Sequence, residues 1–355
     1  MASRLETVRA RLADLDGDAV LLTFLPDIRW AVGFTGSNGV LLVTEDEAHF
    51  VTDGRYREQA QAEVAGAEIH VAGYKLFEYV AEQELFRGAR TCIVQGDHLN
   101  VATLDRIRGL IQAVRFEPEL ELLVKDVASK SDEEIGRIRA AQKITDTVFA
   151  DLLSLIKPGV TELDLSAEIV YQHLKRGCEW MAFEPIVAAG ERGALPHTRP
   201  TANVILPGDM MVIDMGGVKG GYTSDMTRTV AIGEPGDEAR YVYQVVLDAQ
   251  QAAIEAANAG MTGRELDQVA RAVIDAADYG EAFSHSLGHG IGLQTHEWPA
   301  LSSHSEDVLP AGAAVTIEPG IYLPGKFGVR IEDIVVLGED GCTNLTASSK
   351  ELLVL

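Results

Sequence analysis

The most constraining feature of the sequence is a pair of aspartates in two β-prone runs that flank a glycine-rich loop. The runs are MMVIDMG and YTSDMTRTVAI, and the loop comprises residues 217–221. The pattern predicts an antiparallel hairpin. A turn centred between Lys219 and Gly220 would place Asp214 directly opposite Asp225, with Cβ atoms about 4.5–5.5 Å apart. Because two like charges at that distance destabilise a sheet, the pair indicates a bound cation.

A second hairpin of the same kind is predicted near the C-terminus. The runs AAVTIEPG and GVRIEDIVVLG flank a loop, and a turn centred on Gly325 would place Glu318 opposite Glu332. Glu332 lies within an apolar run, and burying its charge without a partner would be strongly unfavourable. Two independent carboxylate pairs therefore predict a metal site.

A histidine-containing segment, FSHSLGHGIGLQTHEWP, offers a nitrogen ligand to this site. His289 is the best candidate, because Gly288 and Gly290 on either side leave room for a metal to approach the backbone. Four carboxylates and one imidazole are too many ligands for one closed zinc site and suit two divalent ions about 3.5–4 Å apart. Five histidines lie outside both this segment and the Pro-His-Thr-Arg-Pro loop at 196–200. They are expected to be surface or structural residues: His49, His70, His98, His173 and His304.

Composition argues against several classes of partner. The net charge of −24 and the absence of basic clusters predict no nucleic-acid partner and no anionic membrane partner. The apolar runs fall short of the ~18 residues that a membrane span needs, and the N-terminal segment lacks the pattern of a signal peptide. Three cysteines far apart indicate reduced thiols. A cytoplasmic location is expected.

The length of 355 residues predicts two domains. Residues 1–125 alternate strand-like and helix-like runs, as in an α/β unit with a small mixed sheet. A capping box at Ser131 begins the second domain, residues 126–355. Within it, segments 131–233 and 237–337 both read as helix, helix, sheet, so the two halves would place both carboxylate hairpins on one curved antiparallel sheet.

These motifs resemble a known family. VIDMGGVKGGYTSDMTRT, SHSLGHGIGLQTHEWP, VTIEPGIY and GVRIEDIVVL are similar to the metallopeptidases of the pita-bread fold that hydrolyse bonds to proline, namely X-Pro dipeptidases (prolidases) and X-Pro aminopeptidases (aminopeptidase P). GFTGSNGVLLV and VTDGRYREQA resemble the creatinase-type N-terminal domain of that family. The resemblance covers nearly the whole chain. It implies an α/β (α+β) fold, with a creatinase-like domain over 1–125 and a pita-bread catalytic domain of two related halves over 126–355.

The resemblance also implies a role for each matching residue. The implied metal ligands are Asp214, Asp225, His289, Glu318 and Glu332, with Asp225 and Glu332 bridging two ions. The implied substrate-binding residues are His197, His285, His296 and Arg330, and the implied catalytic residues are His197, His296, Glu318 and Arg330. Because all five ligands are present, the chain differs from the metal-free creatinases and from non-catalytic scaffold proteins of the same fold.

The implied chemistry is hydrolysis of the Xaa-Pro bond by a hydroxide that bridges two divalent ions. Mn²⁺ is the expected metal, with Co²⁺ and Zn²⁺ as alternatives. Glu318 or its neighbour would accept the proton and return it to the leaving imino nitrogen, and protonated His197 or His296 would stabilise the oxyanion.

Three activities remain open at this point. A dipeptidase acting on Xaa-Pro dipeptides is favoured, because the chain is compact and lacks long insertions. An X-Pro aminopeptidase acting on longer peptides is the alternative, and a binding module that has kept the fold without catalysis belongs to a different class. The resemblance further implies a homodimer in which the partner's N-terminal domain borders the pocket through its Arg55–Tyr56 region.

Overall fold

The chain divides into two units between Val127 and Ala128. The structure, a computed structural model, describes residues 3–355. The first unit is built on a mixed sheet, and the second contains antiparallel sheets covered by long helices. The α/β character predicted for the first part of the chain and the antiparallel hairpins predicted for the second are both present.

The first unit contains one six-stranded sheet. Its strands are β1 (Ala19–Leu22), β2 (Gly39–Thr44), β3 (Ala48–Asp53), β4 (Glu68–Ala72), β5 (Thr91–Gln95) and β6 (Arg115–Glu119). They are arranged in the order β4-β3-β2-β1-β5-β6. The central strands β1, β2 and β3 pair antiparallel, whereas β3–β4, β1–β5 and β5–β6 pair parallel.

Helices cover this sheet. They are α1 (Arg4–Asp14), α2 (Leu25–Val32), α3 (Arg57–Glu63), α4 (Leu76–Glu82) and α5 (Val101–Leu110), and α6 (Val124–Ala128) follows β6. Alternate strand residues such as Val40 and Leu42 pack in one cluster with Val80 of α4 and Ile107 of α5. Because strand side chains alternate between the two faces, this pattern gives the sheet one face that packs against α4 and α5.

Capping boxes begin three of the four main helices of the second unit, and the third helix in chain order follows Gly236 without a side-chain cap. The four helices are α7 (Asp132–Leu152), α8 (Glu162–Lys175), α9 (Asp237–Ala256) and α10 (Gly263–Ala276). The predicted box at Ser131 is confirmed, and similar boxes at Thr161 and Thr262 begin α8 and α10. In each box, the side chain of the first residue accepts from a backbone N–H that the helix leaves unpaired. Among residues 3–355, no helix is long and apolar enough to span a membrane.

The strands of the second unit pair antiparallel in four sheets. The strands are β7 (Trp180–Met181), β8 (Ile186–Ala189), β9 (Met210–Met215), β10 (Gly217–Lys219), β11 (Tyr222–Thr223), β12 (Met226–Ala231), β13 (Gly288–Gly290), β14 (Glu297–Leu301), β15 (Ala314–Ile317), β16 (Gly320–Leu323), β17 (Phe327–Arg330), β18 (Asp333–Gly338) and β19 (Gly341–Asn344). The sheet orders are β11-β10-β7, β12-β9-β8, β14-β13-β15-β18-β19 and β16-β17.

The predicted internal repeat is visible in the topology. Each half contains a helix pair followed by hairpins, and in each half the threonine that caps the second helix forms an isolated antiparallel bridge, with Val204 or Val308. The two halves have separate apolar clusters, one around Ile213 and Met226 and the other around Val315. A backbone hydrogen bond of 3.1 Å from Glu332 N–H to the carbonyl of Thr227 joins the hairpins of the two halves.

A buried ion pair joins the start of this unit to β14. Lys130 Nζ lies 2.7 Å from Glu297 Oε2, and the two side chains are 1% and 8% exposed. Because neither charge is hydrated, each depends on the other for compensation.

Replacing Lys130 with methionine removes the cation and leaves the Glu297 carboxylate buried. We expect the free energy of unfolding of this unit to fall by about 3–5 kcal/mol, the usual effect of deleting one partner of a buried pair. Urea denaturation of the full chain measures the change. The matched control is Lys326→Met at the exposed Lys326–Glu238 pair, also 2.7 Å long, where the loss should be at most about 1 kcal/mol. Equal losses in the two variants would contradict the argument.

Candidate metal centre

The first carboxylate hairpin forms with a register different from the predicted one. β9 pairs with β12 so that Asp214 lies opposite Thr227, and Asp225, two residues earlier, is a diagonal neighbour on the same face. The turn consists of Gly220 and Gly221, whose φ angles are 59° and 77°. A two-residue hairpin turn of this kind needs positive φ at both positions, which glycine adopts without strain. The turn is therefore centred one residue later than predicted, and the direct opposition of the aspartates is wrong.

The second hairpin has the predicted register. The β15–β18 and β16–β17 pairs, which lie on either side of the glutamates, have the same register. Glu318 and Glu332 therefore occupy opposing positions between these two strand pairs. Gly325 in the turn has φ of 75°. Hydroxyl groups hold both carboxylates: Thr227 Oγ1 donates to Glu332 at 2.7 Å, and Thr316 Oγ1 donates to Glu318 at 3.1 Å.

His289 on β13 turns one ring nitrogen towards these carboxylates. Its Nδ1 lies 3.0 Å from the carbonyl oxygen of Gly290, so Nδ1–H donates there and Nε2 presents its lone pair to the site. Nε2 is 3.3 Å from Glu318 Oε1 and 3.8 Å from Asp225 Oδ2. A backbone carbonyl that fixes the tautomer in this way is typical of metal-ligating histidines.

The two glycines beside His289 have a role other than the one expected. A Cβ atom added at Gly288 would lie 2.0 Å from the carbonyl oxygen of Thr316, and one at Gly290 would lie 2.3 Å from that of Trp298. From the sequence, these glycines are expected to leave room for a metal to approach the backbone. In the structure they allow neighbouring backbone segments to pack closely, and this packing positions the His289 ring.

All the residues predicted for the site line one cavity of about 450 Å³. They are His197, Asp214, Asp225, His285, His289, His296, Glu318, Arg330 and Glu332. Asp225, His289 and Glu332 offer ligand atoms that lie within 4.8 Å of one another. Glu318 reaches this group through its contact with His289, whereas Asp214 lies against Arg330. The structure thus brings both hairpins and the histidine segment to one place.

The electrostatics of the cavity fit divalent cations. Burial and the neighbouring carboxylates raise the pKa of Asp225 and of Glu332 well above the usual range, and burial raises the pKa of Glu318 to about 7. Asp214 Oδ1 is buried and has no hydrogen-bond partner among residues 3–355. Hard oxygen donors, one of them unpaired, together with an imidazole nitrogen match the ligand preferences of Mn²⁺, Co²⁺ and Zn²⁺.

Arg330 is the buried cation that faces these carboxylates. Its Nη2 donates to Asp214 Oδ2 at 2.6 Å, its Nη1 to the hydroxyl of Tyr322 at 2.8 Å, and its Nε to Thr227 Oγ1 at 3.0 Å. The resemblance implied that this guanidinium binds substrate and takes part in catalysis. In the structure it contacts protein groups, and its direct effect is to hold Asp214 and to offset part of the negative charge.

His285 is held by the same network. Its Nδ1–H donates to the carbonyl of Ser286 at 2.7 Å, so Nε2 accepts from the Tyr322 hydroxyl at 2.9 Å. Burial and the charge of Arg330 lower the pKa of His285 to about 4, which keeps the ring neutral. The resemblance implied a substrate contact for His285. The structure places both of its ring nitrogens on protein partners and links it to Arg330 through Tyr322.

His197 and His296 lie at the exposed side of the cavity lining. The ring centroid of His296 is 4.4 Å from that of His289. Partial burial and this neighbour lower the pKa of His296, so the neutral ring is favoured. A neutral imidazole can donate one hydrogen bond through its N–H.

The sequence interpretation missed Thr227, Thr316 and Tyr322. Thr227 follows Asp225 by two residues and Thr316 precedes Glu318 by two, so each threonine shares a face with a carboxylate, and this period-two spacing was the available signal. Tyr322 ends the motif VTIEPGIY, but the motif alone gave it no role, because its hydroxyl meets Arg330 and His285 only when β16 and β17 pair.

Comparison with known proteins identifies the family. Residues 136–339 match the description "Metallopeptidase family M24", and residues 4–124 match "Creatinase/Prolidase N-terminal domain". The chain belongs to metallopeptidase family M24. The predicted membership of the pita-bread metallopeptidases and the predicted fold class are confirmed.

Individual members of the family align with nearly the whole chain. An Xaa-Pro dipeptidase from Pyrococcus furiosus is 38% identical over 316 residues, which cover 89% of this chain and 89% of that protein. The solved structure of an Xaa-Pro dipeptidase from Bacillus anthracis has a TM-score of 0.96 at 40% identity and covers 99% of both chains. That of an X-Pro aminopeptidase from Thermotoga maritima has a TM-score of 0.92 at 36% identity, with 99% of this chain and 100% of that chain covered.

The raised pKa values predict how metal affinity depends on pH. Divalent ions bind the ionised carboxylates, so protons compete with them below the pKa of about 7 of Glu318. Below that pH, we expect each drop of one pH unit to lower the apparent association constant for Mn²⁺. The decrease should be about tenfold for each proton that the metal displaces. Isothermal titration calorimetry in buffers of different ionisation enthalpy measures both the affinity and the protons released. Metal binding without proton release near neutral pH would contradict the prediction.

The hydroxyl of Tyr322 is expected to matter for catalysis without binding metal. Tyr322→Phe removes the hydrogen bonds to Arg330 and His285, and we expect kcat/KM for peptide hydrolysis to fall about tenfold or more, as a lost charge-assisted hydrogen bond implies. Metal content, measured by mass spectrometry, should stay unchanged. Tyr243→Phe is the control, because that hydroxyl donates to the carbonyl of Lys350 at 3.0 Å and Tyr243 does not line the cavity. Similar kinetics for the two variants would refute the assigned role.

Proposed function

We propose that this protein hydrolyses Xaa-Pro dipeptides in a metal-dependent reaction. The observation that carries the proposal is the convergence of Asp225, His289 and Glu332 in a cavity of about 450 Å³, a volume suited to a dipeptide. The names of the P. furiosus and B. anthracis relatives, both Xaa-Pro dipeptidases, support the same substrate class.

The proposed metal ligands are the five residues implied by the family pattern. Asp214, Asp225, His289, Glu318 and Glu332 would hold two divalent ions, with Mn²⁺ as the expected metal and Co²⁺ or Zn²⁺ as alternatives. Such ions acidify a bound water and polarise a carbonyl group. The unpaired Oδ1 of Asp214 and the raised pKa values of the other carboxyl groups support this assignment.

Glu318 is the proposed proton carrier. Its Oε1 lies 3.3 Å from His289 Nε2, beside the proposed metal cluster, so the carboxylate can accept a proton from a water molecule bound there and later return it. Thr316 Oγ1 donates to Oε1 of this carboxyl and limits its orientation. The proton taken up from the attacking water would return to the proline nitrogen, which becomes an amine when the bond breaks.

Substrate binding is assigned to the cavity walls. Phe183, Pro185 and Ile186 supply an apolar surface for a proline ring, and the Xaa-Pro bond presents no N–H that the wall would have to satisfy. His197 and His296, both exposed in the lining, are proposed to hydrogen-bond the substrate near the scissile carbonyl. Arg330 and His285 are proposed to act by positioning Asp214 and Tyr322.

An X-Pro aminopeptidase is the second candidate. The similarity to the T. maritima structure supports it, because that protein is named an X-Pro aminopeptidase. The two activities differ at the carboxyl side of proline, where a dipeptidase must bind a free carboxylate and an aminopeptidase must leave room for a longer chain.

The remaining expectations belong to this proposal. The domain assignment, 1–125 creatinase-like and 126–355 catalytic, is retained, together with a homodimer and a cytoplasmic location. In the structure Arg55, whose region was expected to border a partner's pocket, pairs with Asp53 at 2.9 Å. Light scattering of the purified chain tests the dimer.

Hydrolysis of matched substrates tests the activity. The full chain is reconstituted with Mn²⁺ and given Leu-Pro or Ala-Pro in parallel with Ala-Pro-Ala, with a chelator-treated sample and Glu318→Gln as controls. We expect cleavage of the dipeptides, little cleavage of the tripeptide, and at least about a hundredfold loss in both controls. Efficient release of the first residue from Ala-Pro-Ala would favour the aminopeptidase. Metal-loaded protein that cleaves neither class of substrate would indicate a binding module.

A further inference from the structure

Two histidines and a glutamate meet at the edge of the sheet in the first unit. In the parallel pair β3–β4, His49 lies opposite Glu68 and Val51 lies opposite His70, so the side chains at positions 49, 68 and 70 share one face. His49 is buried, the side chain of His70 is 13% exposed and that of Glu68 is 69% exposed. The cluster therefore has a buried side and a side open to solvent.

The three side chains point their polar atoms at one another. His49 Nδ1 lies 3.1 Å from His70 Nε2 and 3.6 Å from Glu68 Oε2, and His70 Nε2 lies 3.9 Å from Glu68 Oε1. Two zinc–nitrogen bonds of about 2.0–2.1 Å separate the nitrogens by about 2.9 Å at a right angle and about 3.4 Å at the tetrahedral angle. The observed nitrogen separation lies between these values.

A second carboxylate fixes the tautomer of His49. Glu47 Oε2 lies 3.1 Å from His49 Nε2, so Nε2–H donates to Glu47 and Nδ1 is left with a lone pair. The Nε2–H of a neutral His70 can donate to this lone pair, and a metal ion that replaced that proton would meet His49 Nδ1, His70 Nε2 and the Glu68 carboxylate. A carboxylate that binds the outer nitrogen of a histidine is the usual support of a metal-ligating imidazole.

We propose that His49, Glu68 and His70 bind a transition-metal ion of the Zn²⁺ class, separate from the candidate metal centre of the second unit. Two imidazole nitrogens and one carboxylate oxygen are a ligand set for Zn²⁺, Co²⁺ or Ni²⁺, with further positions open to water. The side chain of Glu68 is 69% exposed, so an ion can reach the site from solvent. The ion would cross-link β3 to the edge strand β4 and so would stabilise the edge of the sheet.

Counting metal ions in the full chain tests the site independently of the proposed peptidase activity. The protein carries Asp225→Asn and Glu332→Gln to weaken the candidate metal centre, is stripped with chelator, and is titrated with Zn²⁺ against a chromophoric competitor. We expect one ion per chain to remain bound. Adding His70→Asn should abolish it, Glu68→Gln should weaken it at least tenfold, and Glu47→Gln should weaken it about 10–100-fold.

The control variant is His98→Asn in the same background, because His98 is exposed and stacks on Phe24 in the same unit, away from this cluster. It should retain the ion. Zn²⁺ binding that is unchanged by both His70→Asn and Glu68→Gln, or its absence from the starting protein, would overturn the proposal. Glu68 is mostly exposed, so Glu68→Gln gives a result even if His70→Asn folds poorly. In a chain without Asp225→Asn and Glu332→Gln, the single variant His70→Asn should have the same dipeptidase activity as the unsubstituted chain.

Discussion

Mutual repulsion among buried carboxylates is the constraint on which the second unit depends. Asp225, Glu318 and Glu332 have raised pKa values because burial and neighbouring negative charge disfavour their ionised forms. Arg330 offsets part of this charge and is itself held by Asp214 and the hydroxyl of Tyr322. Binding of divalent cations would therefore relieve this repulsion. Without metal, the free energy of unfolding falls as these carboxyl groups ionise.

The hairpins place this charge through turn geometry and hydroxyl contacts. Consecutive glycines at 220 and 221 fix the first register, and the turn at Gly325 fixes the second. Thr227 then joins the hairpins, because its hydroxyl contacts both Glu332 and Arg330. The two halves of the repeat each supply one hairpin, and the cavity forms where the hairpins meet.

Both metal-binding proposals rely on the same structural principle. In each unit the candidate ligands lie on β-strands or directly beside strand ends, and the paired backbone holds them at fixed separations. In each unit a histidine is oriented by its outer nitrogen, through a backbone carbonyl for His289 and through Glu47 for His49. The difference lies in charge: the second unit gathers four carboxylates, whereas the first gathers two imidazoles.

The sequence by itself determined the elements, the repeat, the family and the set of residues that line the cavity, because these depend on local periodicity, turn residues and motif spacing. It also determined the register of the second hairpin, where a turn centred on Gly325 was the correct choice. Tertiary structure decided the register of the first hairpin, since several glycines allowed more than one turn and only the pairing selected Gly220 and Gly221. It also decided that Arg330 and His285 contact protein groups and that His49 meets His70, because these contacts join residues that are distant in sequence or lie on different strands.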